Sequence, residues 1–201
     1  MNEEKYVGTK FNTIFLNKQV PKSKRIEELI YWGEKFYKMG LSKPYEGGGS
    51  TGNLSFRVKS GFIIKGSYTN LGKMRKEDLV KVIKCKGLNV YVIGKKEPSS
   101  ETLLHHAIYK KRSEINAIFH LHDYLVMKAG KKLHIVETKR YQPYGTLELV
   151  KEVMKILDKN NYIILKNGGI VALGKTIKEA GERVLETHKN AKKILISKAL
   201  L

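Results

Sequence analysis

The sequence predicts an α/β fold, with helices packed on one sheet that is mixed or mainly antiparallel. Three patterns carry this. Segments with apolar residues three and four apart alternate along the chain with short runs in which every second residue is apolar. Several of those runs are joined by turns of a few residues, which antiparallel neighbours allow and parallel ones do not. Neither an internal repeat nor a linker divides the 201 residues, so a single domain over 1–201 is expected, long enough for a sizeable core.

In chain order, the first helix is expected over 24–39, where Ile26, Leu29, Ile30, Gly33, Phe36 and Tyr37 share a face and Gly40 provides the stop. A glycine-rich stretch, 46–53, follows. Runs 54–58 and 61–64 flank a Lys-Ser-Gly turn as a hairpin, and 79–83 with 89–93 form another around Cys85-Lys-Gly87. Ser99-Ser100-Glu101 opens a helix with Leu104, Ile108 and Tyr109 inward, Ser100 serving as N-cap. In 117–122, Ile118, His120 and His122 face one way, Phe119 and Leu121 the other. A helix over 146–159, strands 162–165 and 170–173 about Asn167-Gly-Gly169, and a final helix after Thr176, with Glu179 three places on, complete the reading.

The bulk composition is that of an ordinary globular chain, 41% hydrophobic and 29% charged. No run approaches the ~18 apolar residues of a membrane span, and the N-terminus lacks the apolar core of a signal peptide. Cys85 is the single cysteine, which excludes intrachain disulfides and a cysteine-built zinc site. A cytoplasmic location is expected. Net charge is +20, from 39 Lys+Arg against 19 Asp+Glu, so nucleic acid enters as a candidate partner. The basic residues lie in scattered pairs such as Lys95-Lys96 and Lys131-Lys132, without interleaved aromatics, and a solvated lysine surface is the simpler reading. A phosphorylated small substrate would also profit from the field.

Three constellations carry chemistry. Gly48 to Ser55 reads GGSTGNLS; such a loop converges backbone N–H groups and hydroxyls on a phosphate, or is a plain turn. Pro98-Ser-Ser-Glu101 puts two hydroxyls and a carboxylate at a helix start, an anion site with a metal ligand or base beside it, or a simple cap. His120-Leu-His122 places two imidazoles on one strand face, where they bind one metal ion or fill a core; Asp123 beside them is a candidate partner for a ligating imidazole.

Together, STGNLSFR, GFIIKGS with LGKMRKEDLV, PSSETLLHHAIYKKRSEINAIFHLHD, YQPYGTLELVKEV and the weaker IILKNGGIVALGKTIKEA resemble the class II aldolase/adducin family, in the family's order across 26–196. That family includes sugar-phosphate aldolases, an epimerase, a dehydratase and the non-catalytic adducin head domains. The resemblance implies a three-layer α/β/α sandwich and a homotetramer with sites between subunits. It implies that Ser50, Thr51, Asn53, Gly66, Ser67, Ser99 and Ser100 hold a substrate phosphate, and that His120 and His122 ligate a divalent metal, zinc by preference. Glu101 is implied as the catalytic acid/base, coordinating the metal when substrate is absent. The implied reaction is retro-aldol cleavage of a small phosphorylated ketose, with the metal as Lewis acid for the enediolate.

The chain departs from the family in three places. Gly168 stands where the third metal histidine is expected; His188, His134 and Asn167 are replacement candidates, while His105 and His106 read as structural. Only 18 residues separate His122 from Tyr141, fewer than the resemblance implies, and none of Tyr124, Tyr141 and Tyr144 can be assigned by motif as the proton donor. Residues 1–24 form an extension without a recognised counterpart. A metal-dependent lyase is therefore the leading reading, and a non-catalytic, adducin-like structural or phosphate-binding protein the alternative. Epimerisation or dehydration at the same site comes after these.

Overall fold

The computed structural model describes residues 6–199. Strands β1 (Asn12–Asn17), β2 (Asn53–Arg57), β3 (Phe62–Lys65), β4 (Leu79–Lys86), β5 (Asn89–Ile93), β6 (Ala117–Leu121), β7 (Val136–Glu137), β8 (Tyr162–Leu165) and β9 (Gly169–Gly174) line up in the order β1-β5-β4-β3-β2-β6-β9-β8-β7. All neighbours are antiparallel except the two outermost pairs, β1 with β5 and β7 with β8. The helices are α1 (Ile26–Lys38), α2 (Thr102–Lys111), α3 (Tyr124–Ala129), α4 (Leu147–Leu157) and α5 (Ile177–Ala199). Among the described residues, no helix is long and apolar enough to cross a membrane.

Alternation along the strands separates two cores. On one face Leu54, Phe56, Phe119, Leu121 and Ala172 meet Leu29, Trp32 and Phe36 of α1, Val126 of α3 and Ala180 and Val184 of α5. On the other, Phe62, Ile64, Val80, Val82, Ile118, Val171 and Leu173 meet Leu104 and Ile108 of α2 and Leu149, Val153 and Leu157 of α4. The molecule is thus a three-layer α/β/α sandwich on a mainly antiparallel sheet. In β6, Ile118 and Phe119 fall in opposite cores, as the alternation requires.

Three elements were not foreseen. Helix α3 is short, capped by Asp123, whose carboxylate accepts from Val126 N at 3.1 Å. Strand β7 has two residues, too few for any pattern. Strand β1 lies inside the supposed extension: it pairs parallel with β5, with a register shift between Phe15 and Asn17, and Asn12 Nδ2 donates to Asn89 Oδ1 at 3.2 Å. As an edge strand its residues are half-buried or exposed, so no alternation marks it. The second hairpin is also longer than expected, because a register shift between Val82 and Lys84 lets β4 keep its pairing to Lys86.

Candidate functional site

Strands β2 and β6 pair with Asn53 opposite His120, and the start of α2 brings Glu101 against both. Asn53 Nδ2 donates to Glu101 Oε2 at 3.3 Å, and His120 Nε2 lies 3.4 Å from the same oxygen. His120 Nδ1 bonds Ile170 O of β9 at 3.0 Å, which fixes the tautomer with the proton on Nδ1 and leaves Nε2 as a lone-pair donor. His122 follows β6 directly; its N–H donates to Leu41 O, and its ring stands 5.2 Å from that of His120, centroid to centroid. Glu101 is not held by a Ser100 cap. The carbonyl of Ser99 accepts from Thr102 N at 2.9 Å and from Thr102 Oγ1, and Ser99 Oγ accepts from Glu101 N at 3.5 Å. Ser99 therefore braces the turn before α2, whose N-cap position is Glu101 itself, and Ser100 lines the cavity.

That cavity is lined by Ser50, Thr51, Asn53, Ser67, Ser99, Ser100, Glu101, His120 and His122, so most of the expected site residues share one space. Gly66 is the exception. Its N–H is bonded to Asp78 O at 2.8 Å, and a Cβ there would stand 2.7 Å from that same oxygen; close packing explains this glycine, and it offers no donor to a phosphate. A second cavity shares Glu101, His120, His122 and Tyr144 and is walled by Tyr141, Lys166, Asn167 and Gly168. Tyr124 lines neither cavity; Lys43 Nζ lies 4.7 Å from its ring centroid.

Burial sets the electrostatics. Glu101 is 4% exposed, and loss of water pushes its carboxyl above the ordinary range, opposed by the Asn53 hydrogen bond and by His122 and Lys65. Lys65, 3% exposed at the end of β3, donates to Ser50 O at 2.8 Å and Thr69 O at 2.9 Å. Burial lowers its ammonium to about 7, opposed by Glu101. His120 is brought down to about 4 by burial, so it is a neutral ligand or acceptor at neutral pH. Lys65 was not singled out from sequence, and neither was Tyr6, which also lines the first cavity. Lys65 closes the wholly buried run Phe62–Lys65, but that burial comes from the fold, and nothing in sequence marked either residue.

Comparison with known proteins now bears on this geometry. Residues 27–195 match the family described as Class II Aldolase and Adducin N-terminal domain. The chain belongs to that family. Similar members include an L-fuculose phosphate aldolase of Methanococcus maripaludis, 36% identical over 146 residues covering 66% of this chain and 77% of that one. A 5-deoxy-D-ribulose 1-phosphate aldolase of Bacillus thuringiensis is 28% identical over 176 residues, 78% of each. Among solved structures, an L-fuculose 1-phosphate aldolase superposes with a TM-score of 0.73 at 27% identity, covering 90% of this chain and 89% of that one.

The aldolase-family metal fits the donor chemistry of this site only in part. Two imidazoles and a carboxylate in one desolvated space are a legitimate set for a catalytic divalent cation, and the hydrogen bond to the Ile170 carbonyl holds the His120 ring in the orientation a ligand needs. Yet among the described residues no three His, Cys, Asp or Glu side chains are grouped to hold a metal ion. The replacement histidines do not repair this: neither lines the shared cavities. His188 Nδ1 instead bonds Asp123 Oδ2 at 2.7 Å, engaging the carboxylate considered as a partner for the His pair, and His134 sits exposed in a left-handed turn at φ 53. Asn167 does line the second cavity. His105 is core, its Nδ1 2.7 Å from Ser55 Oγ, which also bonds Tyr109 at 2.8 Å.

Proposed function

We propose that this chain is a lyase that cleaves a carbon–carbon bond in a small phosphorylated ketose. The observation that carries it is a carboxyl and an imidazole 3.4 Å apart in a cavity that extends to Ser67, Ser99 and Ser100. Relatives named for ketose phosphates support the substrate class. In the reaction the Glu101 carboxylate takes the proton of the hydroxyl β to the carbonyl, the carbon–carbon pair passes to the carbonyl side to leave an aldehyde and an enediolate, and the proton returns to the carbon left behind. Glu101, with its proton affinity raised by burial, is placed to return it. Asn53 and Lys65 hold that carboxyl in place by hydrogen bond and charge. Ser50, Thr51, Ser99 and Ser100 receive the phosphate, with Ser67 and the Lys65 ammonium near it. A divalent cation, zinc by family preference, would need His120, His122 and Glu101 to draw together as its ligands, and would then supply Lewis acidity at the carbonyl oxygen.

One observation favours a second reading, a phosphate-binding protein without turnover: Gly168 offers no side chain where the family expects a ligand. The two part in one assay. Release of dihydroxyacetone phosphate from ketose 1-phosphates is expected of the wild type and is expected to fall about 100-fold or more in Glu101→Gln, with the melting temperature retained. Phosphate-ester binding without any release, across metals supplied in turn, would reject the lyase and leave the binding protein.

A further inference from the structure

Of the described residues before β1, Tyr6 contributes its side chain to the lining of the phosphate end. Tyr6 lines the cavity with Ser67, Ser100 and Glu101, and its hydroxyl lies 2.9 Å from Ser67 Oγ. Ser67 has a single proton, which it gives to Pro98 O at 2.9 Å. The Tyr6 O–H is therefore the donor to Ser67, and Ser100 lines the same cavity. Burial raises the phenol, so the group stays a neutral donor at physiological pH.

The ring is held on three sides. Tyr45, Tyr68 and Tyr144 stand 5.0, 4.9 and 5.3 Å from it, centroid to centroid, in tilted, edge-on and stacked contacts. The backbone is tied down too, with Val7 N donating to the Tyr144 hydroxyl at 2.8 Å. A side chain so packed is a wall, and a hydroxyl presented by a wall at an anion cradle is a ligand. The Tyr6 O–H needs only to rotate about its own C–O bond, off Ser67 and onto an incoming oxygen, to donate a charge-assisted hydrogen bond; Ser67 Oγ then keeps its bond to Pro98.

We propose that Tyr6 is a direct ligand of the substrate phosphate, and that the N-terminal segment is thereby part of the binding site and a determinant of its specificity for phosphate esters. The inference rests on the phosphate end proposed above. It places a site residue outside the portion matched to the family, which begins at residue 27.

The test is calorimetric titration of inorganic phosphate into the full-length wild type and Tyr6→Phe, which keeps the ring contacts and removes only the hydroxyl. Loss of a hydrogen bond to a charged group predicts a Kd raised about tenfold. The melting temperature should be unchanged, and KM for a ketose phosphate should rise while kcat holds. An unchanged Kd in Tyr6→Phe would overturn the inference and leave the phosphate end standing. A tighter Kd would overturn it as well, since Tyr6 would then be a plug in competition with the anion. No binding of phosphate to the wild type would remove the phosphate end itself, and Tyr6's role with it.

Discussion

Gly168 and Gly169 are adjacent glycines with opposite demands. Gly169 has φ +102, and a Cβ there would fall 2.4 Å from Leu121 O and 3.1 Å from atoms of both His120 and His122, so only glycine fits. Gly168 has no such conformation, and its nearest neighbour would be Leu165 Cβ at 3.2 Å, a contact that a shift of a few tenths of an ångström relieves. It also walls the cavity that holds His120, His122 and Glu101. Gly168→His should therefore fold and add a third imidazole, tightening Zn²⁺ binding by about tenfold or more; competition against a chromophoric chelator measures this, and an unaltered affinity would show that this cavity is not where metal binds. At this scale the sequence was informative where residue type and spacing specify geometry, as with His120 and His122 on one strand and Glu101 at a helix start. It was silent on Lys65 and Tyr6, whose importance comes from burial and from a fold-back across 61 positions to Ser67.

Helix α2 carries Glu101 at one end, and Arg57 of β2 holds the other. The guanidinium donates to Tyr109 O at 2.8 Å and to Arg112 O and Ile115 O at 3.0 Å each, satisfying carbonyls that the helix terminus leaves open. Its carbon also sits 4.7 Å from the Tyr109 ring centroid. Arg57→Met keeps the stem and removes all three donors, so stability should fall by about 2–4 kcal/mol in urea unfolding. Phosphate affinity should hold, because Arg57 lines a different pocket from the phosphate end; a loss of phosphate binding would show that the far end of α2 governs the site. Elements with their own periodicity, such as α1, α4 and the hairpins, were readable within a few residues. The missed β1, α3 and β7 are short or half-exposed and exist because a neighbour receives them: β5 for β1, β8 for β7, and α5 with the sheet for α3.

Across the whole molecule, two apolar layers enclose a sheet whose centre carries buried titratable groups, and that arrangement makes stability depend on pH. His105 is fully buried against Ser55, and loss of water lowers its imidazole to about 3. The sign follows from proton counting. Between pH 6.5 and about 3 the unfolded chain binds a proton at this position that the native chain refuses, so unfolding gains as pH falls and native stability rises as pH rises. Lowered to about 4, His120 acts in the same direction over a narrower window. Glu101 acts oppositely, because its raised carboxyl keeps a proton in the native state that the unfolded chain has already lost. A wild-type melting curve against pH mixes these three with other groups, Lys65 among them, whereas comparison with a His105 variant isolates one. His105→Asn keeps a polar atom for Ser55, and its melting temperature should be lower at pH 7.5 because the ring leaves a void. Below about pH 6 the wild type should lose roughly 1.4 kcal/mol per pH unit more than the variant, the value of one proton. Parallel curves from pH 7.5 to 4.5 would mean that His105 accepts its proton without unfolding, and that the core around Ser55 and Tyr109 admits water.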